Sequence, residues 1–366
     1  MFKNFWYAVA FSHEVTAAPR AVTVMGISLV LWRRADGAPV VQLNRCPHRG
    51  AALHIGRVVG DQLECPYHGW LFNQEGAATA VPSGAPGGPV PTRARLETWP
   101  VAEQAGFVWA FLGDLPESER PPLPDVPEHR DPTWRMISGE FLWNAHYTRV
   151  VENAVDIAHA PFVHAGSFGN PDLPQVPPHE VEVADWSVSA AVDLDAPPPG
   201  GLWSFFRRDT TRRKVGTRVT VYLPTHSRLD LRLYTGWRMV IFSSNVPVDA
   251  THTLTKWTMY RDFFTGSWAD ADSRKRTLQI FREDQPIVES QRPMRVPDGL
   301  SEELHVKADA LQLAVRRLNQ KATALGWALA SPPSEGAETR PMSFPCPAHR
   351  THPEGWTNEI LPARVA

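Results

Sequence analysis

The chain has 366 residues, a formal net charge of −2 and 43% hydrophobic residues. That is enough apolar material for two compact domains, and too little charge excess for nucleic acid or an anionic membrane to be the main partner. Three cysteines exclude a disulfide framework and point to a reducing, cytoplasmic setting. Residues Met1 to Ala10 lack the apolar core of a signal peptide, and runs such as Phe107 to Leu112 are too short to span a bilayer. The expectation is a soluble protein with no membrane partner. A local basic patch, Arg207-Arg208 with Arg212-Arg213-Lys214, reads as a solvated hairpin tip.

In chain order, Val/Ile/Leu-rich runs broken by Gly, Asp and Pro from Val22 to Leu43 and from Arg57 to Phe72 predict strands of a small antiparallel domain, closed by Phe107 to Leu112. Among them stands Cys46-Pro47-His48-Arg49-Gly50, answered by Cys65-Pro66-Tyr67-His68-Gly69-Trp70. The spacing is Cys-x-His, sixteen residues, Cys-x2-His. Two thiolates and two imidazoles in paired short loops suit a two-iron two-sulfur cluster, with Cys46 and Cys65 on one iron and His48 and His68 on the other. Structural zinc also accepts two Cys and two His, but its loops usually open with Cys-x2-4-Cys and close with His-x3-5-His, whereas here Cys and His alternate. Gly50 and Gly69 would let backbone amides approach sulfide. The loops resemble a Rieske centre. Without an extra cysteine in each loop, and with His68-Gly69-Trp70, they resemble the oxygenase type rather than the respiratory type.

Val81 to Pro91 reads as a loop, and Leu115 to Trp134, with six prolines, as a linker. The boundary is expected near residue 120, giving domains 1–120 and 121–366. Beyond it, Glu140 to Tyr147 predicts a strand, and Thr148 to His159 has helical spacing, stopped by Pro161. Alternating segments at Arg218 to Leu223, Leu229 to Tyr234, Arg238 to Ser243 and Thr253 to Tyr260 predict an antiparallel sheet. Trp268 to Gln291 and Leu304 to Ala324 predict helices, so the second domain is α+β. Asp156 and His159 would share a helix face, and a chain turning back at Pro161 can bring His164 to the same point. Two imidazoles and a carboxylate make a facial triad that leaves positions open on ferrous iron for dioxygen. Taken alone, histidines at a helix end are more often structural; the cluster loops upstream change that balance.

Asn4-Phe5-Trp6-Tyr7-Ala8, both cluster loops, the Asp156/His159/His164 motif and Arg282 to Gln291 together resemble the Rieske non-heme iron oxygenases, terminal oxygenase (alpha) subunits, over nearly the whole chain. The nearest branch is the compact monooxygenase-like one that includes vanillate and dicamba O-demethylases and hydroxylases of guanidinium alkaloids. The resemblance implies an α+β protein: an N-terminal Rieske antiparallel β-domain followed by a helix-grip α+β catalytic domain. It implies one Rieske 2Fe-2S cluster, one mononuclear Fe(II), dioxygen as cosubstrate, and a head-to-tail homotrimer in which His68 of one subunit meets Asp156 of the next. It makes Asp284 the third iron ligand, Asp156 the aspartate bridging the metal sites and Asn153 the asparagine beside the iron. Periodicity alone does not choose Asp284, because Phe281 and Val288 flank it while Ile280 and Ile287 flank Glu283 equally well. Pro286 should weaken that helix near Arg282.

No Gly-x-Gly-x-x-Gly fingerprint is present, so NAD(P)H would act through a separate reductase or ferredoxin. The expected activity is hydroxylation or oxidative demethylation of a small organic substrate, aromatic or cyclic, with two externally supplied electrons. Candidates for its pocket are Asn153, Trp203, Phe205, Tyr222, Trp237, Phe242, Asn245, Trp257 and Met259, although aromatics on a sheet are more often plain core. His54, His146 and His305 are expected to be core or surface residues. The alternatives are a non-catalytic Rieske electron-transfer protein and a zinc-binding protein.

Overall fold

The computed structural model describes residues 1–85, 88–165, 167–196, 213–233, 235–330 and 341–364. They form two compact units: Met1–Leu123 with Val246–Ala250 and Ala322–Ala366, and Pro124–Asn245 with Thr251–Lys321.

The first unit is built from β1 (Phe5–Phe11), β2 (Arg20–Val24), β3 (Ile27–Arg33), β4 (Pro39–Leu43), β5 (Arg57–Val59), β6 (Gln62–Glu64), β7 (Leu71–Phe72), β8 (Ala78–Ala80), β9 (Thr98–Trp99), β10 (Val101–Gln104) and β11 (Phe107–Leu112). They pair as β2-β3-β4-β9, β5-β6-β7-β8 and β1-β11-β10. Every residue of β11 is buried, which is why it reads as a continuous apolar run rather than an alternating one. Met25 and Gly26, both at positive φ, turn β2 into β3 with the hand that suits a tight hairpin. Trp32, Leu53, Leu63, Phe72 and Leu96 pack around Cys46 and Cys65.

The C-terminal segment returns to this unit, which a single boundary near residue 120 did not anticipate. Phe2 bridges to Ala328 and Leu329 to Ala363, Trp99 Nε1 donates to Pro345 O at 3.0 Å, and Phe344 and Cys346 are fully buried. Apolar Phe344 and Cys346 are too short a run to announce burial by pattern, so the tail's docking is a tertiary effect.

The second unit is one seven-stranded sheet of β12 (Arg135–Trp143), β13 (Val181–Val183), β14 (Ser187–Ala196), β15 (Arg213–Tyr222), β16 (His226–Arg232), β17 (Arg238–Pro247) and β18 (Thr253–Arg261). The order is β12-β18-β17-β16-β15-β14-β13, a meander whose last strand takes β12 as its outer neighbour. The helices are α1 (Tyr147–Val155), α2 (Ala160–Val163), α3 (Asp270–Ser290) and α4 (Ala310–Ala324). Ile137, Ile241, Trp257 and Met259 pack against Leu278 and Phe281 of α3. Trp143 and Val150 meet Val288 and the same Phe281. One face of the sheet therefore grips α1 and α3.

Four predictions need correction. α1 ends at Val155, because Asp156 leaves helical conformation and caps it; Pro161 stops nothing and occupies the first turn of α2, where a missing N–H costs little. α3 runs through Pro286 without a break, held near its end by buried Val288. α4 starts at Ala310, and Leu304 is fully exposed. β13 and β14 escaped notice because Ser187 to Ala196 mixes Ser, Ala and Asp into its alternation. Among the described residues no helix is long and apolar enough to cross a membrane. Arg207, Arg208 and Arg212 lie outside the described residues.

Candidate metal centres

The two cysteine loops are the same turn made twice. Gly50 N donates to Cys46 O at 2.9 Å and Gly69 N to Cys65 O at 3.0 Å, while Cys46 N donates to Ala51 O and Cys65 N to Trp70 O, both at 2.8 Å. The offsets match although the histidine comes second after one cysteine and third after the other. Each turn closes through a glycine in the left-handed region, Gly50 at φ +75° and Gly69 at φ +70°. A Cβ would also meet Arg45 Nη2 at 3.3 Å in the first and Pro82 Cγ at 3.2 Å in the second, tight contacts added to a backbone conformation that favours glycine.

These turns leave Cys46 and Cys65 buried side by side, with the His48 and His68 rings 4.6 Å apart. His48 stacks flat on Trp70 at 4.6 Å, and its buried Nδ1 has no hydrogen-bond partner. Burial pushes the Cys46 thiol up to about 12, so a thiolate here calls for a neighbouring cation. Two cysteines, two imidazoles and an orphaned ring nitrogen fit a 2Fe-2S cluster.

The second constellation is assembled from three chain segments. Asp156 Oδ1 accepts from Ala158 N at 2.8 Å and His159 N at 3.3 Å, which bends the chain out of α1. His159 then precedes α2 and His164 follows it. The pair brackets one helical turn, which sets their Nε2 atoms 3.2 Å apart. Asp284 comes from α3, where it shares a buried stripe with Thr277 and Val288. Its Oδ1 lies 3.4 Å from His159 Nε2 and 3.2 Å from His164 Nε2, yet it accepts no aligned hydrogen bond. Three donors on one ion with bonds of about 2.1 Å stand about 3.0 Å apart at right angles and about 3.4 Å apart at tetrahedral ones. The triangle has the size of a transition-metal site.

A carboxylate that the sequence left ambiguous fixes one of these rings. Glu283 Oε2 lies 2.8 Å from His164 Nδ1 and accepts from Ser167 Oγ at 2.8 Å, while its Oε1 accepts from Gln279 Nε2 at 2.9 Å. An Nδ1–H donating to Glu283 leaves the Nε2 lone pair aimed at the triangle. Burial alone would push the His164 pKa down; the Asp284 and Glu283 carboxylates outweigh it and push it up. The three donors face a cavity of about 300 Å³ whose wall includes Phe168, Leu229, Ile241 and Phe281.

The comparisons with known proteins bear on both constellations. Residues 5–100 match the Rieske [2Fe-2S] domain and residues 143–325, half the chain, match the vanillate O-demethylase oxygenase C-terminal domain. The chain belongs to the Rieske oxygenases, as a terminal oxygenase subunit. It is 28% identical to methylxanthine N1-demethylase NdmA of Pseudomonas putida over 86% of this chain and 87% of that protein. It is 30% identical to the oxygenase component of dicamba O-demethylase from Stenotrophomonas maltophilia, over 56% of this chain and 60% of that one. The structure of Pseudomonas putida CBB5 NdmA with caffeine superimposes with a TM-score of 0.75 at 26% identity, covering 88% of this chain and 91% of its own. Dicamba monooxygenase bound to dicamba shares the fold, with a TM-score of 0.75 at 22% identity over 88% and 98% of the two chains.

A Rieske oxygenase is an oxidoreductase that couples a Rieske cluster and a mononuclear iron to dioxygen, drawing electrons from NAD(P)H through a reductase. The electron-carrier alternative gives way to a catalytic terminal oxygenase. Of the residues expected around its substrate, Asn153 and Asn245 line the cavity. Asn245 Nδ2 donates to Thr225 O at 3.0 Å and its Oδ1 accepts from Thr255 Oγ1 at 2.6 Å, which in turn accepts from Trp143 Nε1 at 2.8 Å. That relay holds Trp143 in the cavity wall.

The other residues expected around the substrate fall elsewhere. Phe242 alternates with Ile241 and Ser243, which line the cavity, and so faces away from it. Trp257 and Met259 are core beneath α3, Trp237 stacks on Phe263 at 4.9 Å, and Tyr222 borders a polar groove with Glu182, Arg218 and Asp230. Trp203 and Phe205 lie outside the described residues. Among the missed wall residues are odd-numbered positions along three strands: Thr217 and Val219, Leu229 and Leu231, Met239 and Ile241. Period-two alternation was the signal that could have found them.

The remaining histidines have local work. Asn44 holds His54 at 2.8 Å, and His305 Nε2 donates to Leu300 O at 2.9 Å. His146 caps α1 and is pushed down to about 4 by burial.

Proposed function

We propose that this oxygenase hydroxylates a carbon of a small, largely apolar cyclic substrate. Where that carbon is a methyl on oxygen or nitrogen, the product breaks down to the dealkylated compound and formaldehyde. One dioxygen, two electrons and two protons then place one oxygen atom in the C–H bond and the other in water. The observation that carries this reading is the convergence of His159, His164 and Asp284 on the wall of an apolar cavity of about 300 Å³. The demethylase relatives support the dealkylating form of it.

In this reading His159, His164 and Asp284 hold the mononuclear iron, and Cys46, Cys65, His48 and His68 hold the cluster. Bound there, ferrous iron supplies open positions for dioxygen and the cluster supplies electrons singly. The chain supplies the rest. Glu283 keeps His164 in the tautomer that presents Nε2. Apolar walls exclude water from the reacting carbon, while the Asn153 amide and Ser243 hydroxyl orient polar edges of the ring.

Electron delivery is proposed to pass between copies of the chain. His68 is exposed on its unit and Asp156 half-buried on the other, and a heterologous His68-to-Asp156 contact closes into a ring when its rotation is threefold. His159 Nδ1 is buried without a hydrogen-bond partner, which leaves it open to a carboxylate turned toward it. Asp156→Asn should keep both metals and the trimer yet cut turnover severely, since an amide replaces a charged acceptor. A sedimenting monomer with full turnover would sink the intersubunit route.

The decisive experiment is a panel of N-methyl and O-methyl aromatic compounds with a surrogate reductase. Formaldehyde equal to substrate consumed is expected. Hydroxylated product that keeps its methyl group would refute the dealkylating reading.

A further inference from the structure

Beside the cluster loops lies a buried polar relay that the reaction scheme does not use. Arg45, the residue before Cys46, donates through Nη1 to Asn358 Oδ1 at 3.0 Å. Asn358 Nδ2 faces both oxygens of Glu97, each at 3.0 Å. Glu97 is fully buried and Asn358 is 8% exposed. A buried carboxylate answered by one side-chain amide, its own backbone N–H and one nearby cation is still costly unless the set has a task. Burial pushes the Glu97 pKa up, opposed by Asn358 and by Arg45.

The position of Arg45 suggests the task. Its guanidinium packs over Gly50, where a Cβ would meet Nη2, Nε and Cζ between 3.3 and 3.6 Å. A cation is therefore fixed against the first ligand loop. Its anchor belongs to the C-terminal segment, far from the cluster motif in sequence.

We infer that Asn358 is a positioning residue for the Rieske cluster: by tying Arg45 to buried Glu97 it holds a positive charge beside the Cys46 loop and thereby raises the cluster's reduction potential. The inference rests on the cluster reading above. Reduction adds one negative charge, and a fixed cation in a poorly screened place favours the reduced form. Released into solvent, the same cation is screened and its influence fades.

The test uses the full chain with its cluster assembled, its potential read by spectroelectrochemistry on the visible bands and its reduced form by electron paramagnetic resonance. Arg45→Gln leaves the Asn358–Glu97 contact in place and should lower the potential. Asn358→Ala should shift it the same way, and the double variant should go no lower than Arg45→Gln alone. Arg93→Ala removes a different tail contact, Arg93 Nε to Gly355 O at 3.2 Å, and should leave the potential unchanged. A normal potential in Arg45→Gln with a full complement of cluster overturns the inference, even if Asn358→Ala does not fold. So does an Arg93→Ala shift as large as that of Asn358→Ala, which would make the tail a mere brace. An unsubstituted chain without Rieske absorption would instead refute the cluster assignment itself.

Discussion

The two metal constellations are built by opposite means. From Cys46 to His68 the backbone does the placing: two equivalent turns, each closed by a glycine at positive φ, present Cys46 with His48 and Cys65 with His68. From His159 to Asp284 the side chains do it. Asp156 stops one helix, α2 sets two imidazoles, and α3 contributes a carboxylate only because its stripe docks on the sheet. The first kind of site should fail through backbone strain, and the second through loss of hydrogen-bonded support.

The largest effects test whether the sites are separate at all. Asp284→Ala should lower iron from about three to about two per chain and abolish turnover while the cluster's visible spectrum stays unchanged. Cys65→Ala should do the reverse, removing the cluster and sparing the single iron. If either substitution empties both sites, the contrast between them collapses.

That contrast also explains how much could be read in advance. The Cys/His alternation and the following glycines sit within one short stretch, so the first site was visible as spacing. Asp284 was not, because Ile280 and Ile287 made Glu283 an equally good core position on paper. In the fold Ile287 is 49% exposed and Val288 is 2% exposed, which turns the stripe by one residue. The capping role of Asp156 and the one-turn helix after His159 were also hidden, since Pro161 signals a helix start and a helix stop equally well. The strands β15 to β18 were legible from alternation, but which face met the cavity depended on where α1 and α3 packed. The tail's return to the first unit left no periodic trace.

Next in size is Glu283→Gln. The amide can still face His164 Nδ1, but it does not offer the charged acceptor that fixes the tautomer, so iron affinity should fall about 10- to 100-fold. Chelator competition would measure it. Affinity within twofold of the parent would mean that α2 alone orients His164.

Gly69→Ala tests the opposite construction. It places a Cβ at φ +70° and 3.2 Å from Pro82 Cγ, at a cost of about 1–2 kcal/mol for the left-handed conformation alone. Cluster absorbance should be lost at a lower temperature, with the mononuclear iron retained to its usual temperature. Equal loss of both would show that the turn's strain is felt throughout the chain.

Gln279→Ala should have the smallest effect, and it separates graded support from simple proximity. Gln279 does not touch the iron triangle. It sits one helical turn before Glu283 and donates to Oε1 at 2.9 Å, on the exposed side of the carboxylate. Ser167 and His164 still hold Oε2 after the substitution, so Glu283 loses one of three side-chain donors. A typical intramolecular hydrogen bond contributes about 0.5–1.5 kcal/mol, this one is solvent-exposed, and only the part that orients Glu283 would reach the iron. Iron affinity should therefore drop a few-fold, clearly less than in Glu283→Gln. Adding Gln279→Ala to Glu283→Gln should cost less than it does alone, because its effect passes through that carboxylate. Full additivity of the two losses would mean that Gln279 acts on α3 itself and that the triangle is held by helix docking rather than by the hydrogen-bonded layer behind it.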